Sequence, residues 1–415
     1  MQVLMRFNRG QLNSFEPPRV EHIELSDKDK RKRWIAVIVL LAVALAAFGV
    51  GVSGLLKKNA GWTEVEPLSG SSGCAGEFIF RYSIGEKNGR AEYRTLSALY
   101  TSACERAAKV YSSHTSEGMG NLFRLSVHPN EEVKLEPELY ASLEQIQAAG
   151  SRIPYLAPLY ETYGSLFFCE DDSETAEFDP LQNGELAEYF RELAAFANDP
   201  AHIDIELLGE DRAVLRVSDE YLHYLEENGV ETLIDLGWMK NAFIIDDLAS
   251  TLRSSGFTRG YIQSRDGFGV NLDSDCGPYA MIMVDLTENG ARAVAELHYD
   301  TPLAYVDLHS YTMQPAEGDW YYEMESGEVR SIFVDPSDGV PKTSEDDLLL
   351  WSEELGCGAI VLRACPVFIA DSFDPSTLSA PLYCAYCVGK EIICTDPDAV
   401  FAAVAEGYEL RKAER

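Results

Sequence analysis

Cys384 and Cys387 form a C-x-x-C, a spacing that can serve redox chemistry or supply half of a metal site. Both fall in the run LYCAYCVGKEIIC, which reads as a β-hairpin, and residues three apart on a strand face opposite ways. That geometry opposes a disulfide between them and opposes shared ligation of a metal. The seven His are scattered, and residues such as His223 and His298 read as surface or core polar groups rather than ligands. There is no P-loop, no G-x-S-x-G, no H-E-x-x-H and no second C-x-x-C at zinc spacing. Nine Cys is an odd number, so in an oxidising compartment at least one thiol stays free or pairs between chains.

Charge narrows the classes further. The 415 residues carry 34 Lys and Arg against 68 Asp and Glu. Residues 1–58 hold ten basic and five acidic side chains, which leaves 24 basic and 63 acidic in the remainder, a net of −39. Such a domain repels phosphate backbones, and nucleic acid is excluded as a partner. Trp34 to Leu56 is an uncharged stretch of 23 residues, long enough as a helix to cross a hydrocarbon core of roughly 30 Å. Lys28, Lys30, Arg31, Lys32 and Arg33 precede it, and only Lys57 and Lys58 follow closely, so the positive-inside rule places the N-terminus in the cytoplasm. The expected layout is a cytoplasmic tail over 1–33, a transmembrane helix over 34–56 lying in the lipid bilayer, a linker over 57–75 and an extracytoplasmic domain over 76–405. A tail over 406–415 completes it. A cleaved signal peptide is the competing reading, but both its charged region and its apolar run would be long.

Within the domain, EFIFRYSI reads as a strand, and Leu96, Leu99, Ala103, Ala107 and Val110 recur at helical spacing within 92–112. Further helices are expected at 137–149, 184–198, 218–228, 239–254 and 397–405, the last opened by Asp396–Pro397 and closed by Gly407. Strands are expected at AVLRVS, GYIQS, YAMIMVDL, VRSIFVD, GAIVLRA and the cysteine-bearing hairpin. Helices interspersed with hairpin-like strands, with no repeat and no second linker, predict one α+β domain.

Four segments in order resemble the ApbE-type FAD:protein FMN transferases. FRYSI and the helix ending in VYSSHTSEGMGNLFRLS are similar to that family's strand, helix and Ser-rich turn. TLIDLGWMKNAFIIDDLASTLRSSGFTRGYIQS is similar to I-D-L-G-G-x-A-K-G-Y-x-V-D followed by a strand, VRSIFVDPSDGVP to H-I-x-D-P-x-T-G-x-P, and CPVFIADSFDPS to A-D-x-x-x-T. The resemblance spans about residues 76–405. It implies a single ApbE-like domain that takes FAD as substrate, uses Mg²⁺ and transfers FMN to a Thr or Ser of a partner flavoprotein at the membrane. A divalent cation held by carboxylate and hydroxyl oxygens would offset the charge of the pyrophosphate.

Carried over by residue, the resemblance implies Asp371 and Asp235 near the metal and Asp246, Asp335 and Gly339 near the FAD, and it assigns no catalytic residue. Other motif positions are substituted. The second Gly is Trp238, the Lys is Asn241 with Lys240 one residue earlier, the next Gly is Ala242, and the His is Ile332. The first motif Thr is Asp338, the metal-binding Thr is Pro375, and Arg265, Asp266 and Gly267 stand for Gly-Gly-Asp. Plainer roles are open to the residues that do match: Asp235 as a helix cap, Gly339 in a turn, Asp371 at the start of a turn or helix. Two functions are consistent with this pattern, a weakened Mg²⁺-dependent FMN transferase or a non-catalytic accessory or ligand-binding module on the same fold.

Overall fold

The computed structural model describes residues 61–68, 73–273, 277–312 and 320–412. Among them no helix is long and apolar enough to cross a membrane, and the span expected at 34–56 lies outside them. Two strands, β1 (Gly61–Glu64) and β2 (Phe78–Ile84), lead into α1 (Gly89–Val110). A mostly helical stretch follows: α2 (Leu122–Val127), β3 (Glu132–Lys134), α3 (Pro137–Ala149), α4 (Ala157–Tyr163), α5 (Asp172–Thr175) and α6 (Gly184–Asn198). It ends with the hairpin β4 (Ile203–Gly209) and β5 (Arg212–Val217), then α7 (Asp219–Glu227). The chain returns through α8 (Lys240–Ser254), β6 (Gly260–Ser264), β7 (Phe268–Asn271), β8 (Tyr279–Thr287), β9 (Gly290–Tyr299) and β10 (Ala304–His309). The rest is β11 (Tyr321–Glu323), β12 (Val329–Ser331), β13 (Asp347–Ser352), α9 (Cys357–Phe368), β14 (Tyr383–Val388), β15 (Glu391–Cys394), β16 (Val400–Val404) and β17 (Glu409–Lys412).

Nine strands make the main sheet, in the order β1-β2-β6-β7-β10-β13-β14-β15-β17. Every pair in it is antiparallel except the last, β15 with β17. Its centre is covered on both faces, as β13 shows: all six of its residues are buried. Leu348 and Leu350 join the large core beneath α8 and α9, while Leu349 and Trp351 join a second core with Met281, Met283 and Leu297 of the β16-β9-β8 sheet. A strand buried on both faces needs no polar alternation, and LLLW has none.

Helix boundaries follow their caps. Asn183 Oδ1 accepts from the amides of Glu185 and Leu186 at 3.1 and 3.2 Å, opening α6. Ser218 Oγ accepts from Tyr221 N at 3.2 Å, opening α7. Two expected elements are of the other kind. GAIVLRA lies in a helix, α9, and residues 400–404 form a strand, β16, in which Asp396 and Pro397 open a turn instead of a helix: Asp398 N donates to Asp396 Oδ1 at 2.9 Å. VRSIFVD supplies the short β12 and, at Val334, an isolated bridge to Pro341. Within the expected linker, Gly61–Glu64 pairs with β2, and within the expected C-terminal tail, Glu409–Lys412 pairs with β15.

Candidate functional site

Three loops and the end of one helix converge where the matched motifs lie. The first motif runs into α8. Asp235 sits before it, its amide donating to Pro154 O at 3.0 Å and its Oδ1 accepting from Gly237 N at 3.2 Å, so the carboxylate is engaged in a local turn. Trp238, at the second-Gly position, is buried edge-on against Phe333 at 4.9 Å and Trp320 at 6.4 Å between ring centroids. Asn241, at the Lys position, donates to Asp266 Oδ2 at 2.9 Å across the β6–β7 turn. Burial pushes the Asp266 carboxyl up to about 6, with bonds from Ser264 and Asn241 pulling the other way. The positions of the family's Lys and of its Gly-Gly-Asp segment therefore meet, but as an amide and a carboxyl without a cation.

Asp246 lies one turn deeper and faces α9. Its Oδ1 accepts from Cys357 N at 2.8 Å and its Oδ2 from Gly358 N at 2.9 Å, which caps that helix from another helix. A Cβ on Gly356 would stand 2.4 Å from Asp246 Oδ2, so glycine is required for the approach. Burial raises this carboxyl to about 6 against the two backbone bonds that lower it.

The second motif is the loop 333–342. Asp335 N donates to Val340 O at 2.9 Å, Lys342 N to Phe333 O at 3.0 Å, and Asp335 Oδ1 accepts from Ser337 N at 2.8 Å. Gly339 has φ +73°, and a Cβ there would meet Phe190 O of α6 at 2.5 Å. Ile332, at the His position, is a core residue. Asp371, just past α9, is 87% exposed, and its Oδ1 accepts from Lys342 Nζ at 2.8 Å. Lys342 Nζ also lies 2.7 Å from Asp338 Oδ2 and 3.3 Å from Asp335 Oδ2. Burial pulls the Lys342 ammonium down, and its bonds to Asp338, Asp371 and Asp335 outweigh that and hold it above the ordinary lysine value.

Beside these carboxylates opens a cavity of about 570 Å³, lined in part by Arg152, Asn198, Asp335, Pro336, Asp371 and Ser372. The structure thus brings Asp335 and Asp371 together at one pocket and leaves Asp235, Asp246 and Gly339 in turn, cap and close-approach roles. Arg152, the one basic side chain in the lining, donates to Ala197 O, Asp204 Oδ1 and Ile203 O at 2.8, 2.9 and 2.6 Å. Arg152 and Lys342 are thus both already engaged by protein oxygens. Among the described residues no group of three or more His, Cys, Asp or Glu side chains is arranged to hold a metal ion. Pro375 offers no hydroxyl and opens a short turn in which Asp374 Oδ1 accepts from Ser376 N at 3.0 Å. The Mg²⁺ and pyrophosphate implied by the resemblance do not fit this donor set.

Sequence reasoning missed Lys342 and, though it named Asp338 as the residue at the Thr position, the pairing of Asp338 with that lysine; it also missed Arg152 and His309, which is buried and stacked on Tyr321 with ring centroids 5.8 Å apart. The signal for the first two was present in DPSDGVPK: an acidic residue where the motif has Thr, with a Lys four positions on. The eight described cysteines are free thiols. Cys384 belongs to the core under the helices and Cys387 packs on the other side of the sheet, as strand alternation requires.

No family model matches the chain, and no curated protein matches it. Solved structures do. The fold is that of the flavin transferases, and among these it is ApbE-like in a divergent form. The ApbE protein of Thermotoga maritima superposes with a TM-score of 0.54 at 15% identity, over 83% of this chain and 97% of that one. The flavin transferase ApbE of Vibrio cholerae gives 0.54 at 14%, over 84% and 98%.

Proposed function

We propose that this chain is a membrane-anchored, extracytoplasmic module of flavin-transferase fold that has given up FMN transfer and acts as a binding or accessory protein. The observation that carries the reading is Trp238. Where the motif has a glycine whose lack of Cβ lets a phosphate approach the backbone, a buried indole packs on Phe333 and Trp320. In the alternative, an active FAD:protein FMN transferase, FAD and Mg²⁺ are taken by Asp335, Asp371 and their neighbours and a partner flavoprotein supplies the acceptor Thr or Ser; the ApbE-like fold favours that reading, and the substituted motif positions oppose it.

The test is transfer itself. The full chain in detergent is incubated with FAD, Mg²⁺ and a Thr-bearing acceptor flavoprotein, beside the Vibrio cholerae enzyme with its own acceptor, and covalent FMN is read by mass spectrometry. Losing one electrostatic contact of this kind costs on the order of 10²–10³ in rate, so the expected result is no detectable or very slow addition. Efficient addition abolished by Asp371→Ala would overturn the accessory reading. Topology rests on the basic cluster at 28–33 before the uncharged span. Protease added to intact cells is expected to digest the chain beyond residue 58 and spare the tail; a protected domain means the opposite orientation.

A further inference from the structure

An ammonium has three donors, and Lys342 finds three carboxylates. Asp335 and Asp338 come from the loop whose ends are tied by the Lys342 N to Phe333 O bond, and Asp371 comes from the segment after α9. With contacts of 2.7, 2.8 and 3.3 Å and a side chain only 14% exposed, Lys342 fills the space between them. Mg²⁺ demands oxygens at about 2.0–2.1 Å on all sides and could enter only by expelling the lysine from three ion pairs. Asp338 is the instructive residue. It stands where the family motif has Thr, so the loop has exchanged a neutral hydroxyl for a third negative charge and placed a permanent positive charge four residues later.

We infer that Lys342 is a built-in cation: it occupies the cradle of Asp335, Asp338 and Asp371 in place of a divalent metal, and the adjoining cavity works without one. The inference deepens the accessory reading and rests on it for the role of the cavity. Metal binding and FMN transfer are measured separately, so either can fail alone. A consequence follows for the cradle itself. As they stand around the ammonium the three carboxylates are not arranged as a ligand set; with it removed they lose their shared cation, and a hard divalent ion that draws the exposed Asp371 and the half-exposed Asp338 inward would restore one.

The experiment titrates Mn²⁺ into the full chain in detergent, with binding read by calorimetry and by the free-ion electron paramagnetic resonance signal. Lys342→Met is expected to bind one Mn²⁺ at least tenfold more tightly than the unmodified chain, and adding Asp371→Asn is expected to remove the gain. Equal binding by the unmodified chain and the variant, or no gain in the variant, overturns the inference. Should Lys342→Met fail to fold, acetylation of lysines in the unmodified chain decides the matter by peptide mass spectrometry. Lys342 is expected to react several-fold more slowly than exposed Lys87, to be unaffected by 10 mM Mg²⁺ (about the upper end of a useful titration), and to react faster in Asp371→Asn. Reaction as fast as Lys87 shows that the carboxylates do not hold the lysine, and acceleration by Mg²⁺ shows that a metal displaces it; either result overturns the inference.

Discussion

Asp246 shows how one residue can satisfy a motif and a fold at once. The carboxylate stands between α8 and α9 and accepts the first two free amides of α9, at the positive end of that helix. Both amides are buried, and removing their partner leaves each without water or protein to replace it, at about 1–3 kcal/mol per orphaned group. At pH 5, where the carboxyl raised to about 6 is largely protonated and its ionisation cost is absent, Asp246→Ala is therefore expected to lower unfolding free energy by on the order of 3 kcal/mol, and by less above pH 7, where the substitution also relieves that cost. Asp246→Asn, which keeps one acceptor oxygen, should fall between it and the unmodified chain. Chemical denaturation followed by circular dichroism measures this, and a loss below about 0.5 kcal/mol would mean that α9 does not depend on the cap. Gly356, which cannot carry a Cβ so close to the carboxylate, ties the pair together.

That cap also explains why one element escaped the sequence. GAIVLRA is short and apolar apart from Arg363, with only Arg363 exposed and Ala359 partly so, too few outward positions to mark a 3.6-residue period, and its β-branched residues suit a strand. What makes it helical is a carboxylate 111 residues earlier in the chain, invisible to any local window. By contrast 137–149 and 184–198 were legible to the residue, because Pro at a helix start and Asn at an N-cap are local chemistry with local effects. The short strands β1, β16 and β17 carry little signal of their own and form because β2, β9 and β15 offer open edges. The site divides in the same way. Asp335 and Asp371 could be read from motif spacing, whereas the lysine between them depends on how the 333–342 loop folds back, which spacing does not record.

Across the whole molecule the dominant fact is negative charge, most of it at the surface, with a few of the carboxyls buried or partly buried. Burial raises the carboxyls of Asp246, Asp247 and Asp266 to about 6, and that of Asp347 to about 7. Asp347 shares a cavity with Asp285, Glu288, Glu345 and Asp346, opposite Lys390. For a carboxyl moved from 3.8 to about 6, ionisation in the folded chain costs about 3 kcal/mol more than in the unfolded chain. In the unfolded chain these groups lose their protons near pH 4, and in the folded chain they keep them to between about 6 and 7, so over that window the folded state binds more protons. Stability must fall as pH rises through it. Repulsion among the surplus acids of the domain acts in the same direction. Glu138, held below the usual carboxylate value by Arg106, acts oppositely, but only as pH drops below about 4.5. The melting temperature of the full chain at fixed ionic strength is therefore expected to be higher at pH 5 than at pH 8, with most of the change between about 5 and 7. Added NaCl should recover part of the loss at pH 8 by screening the surface charges while leaving the buried carboxyls unrelieved. Calorimetric scans at four pH values test this, and a melting temperature that is flat or rises toward pH 8 would mean that the buried carboxyls are ionised at little cost, through water or cations reaching them.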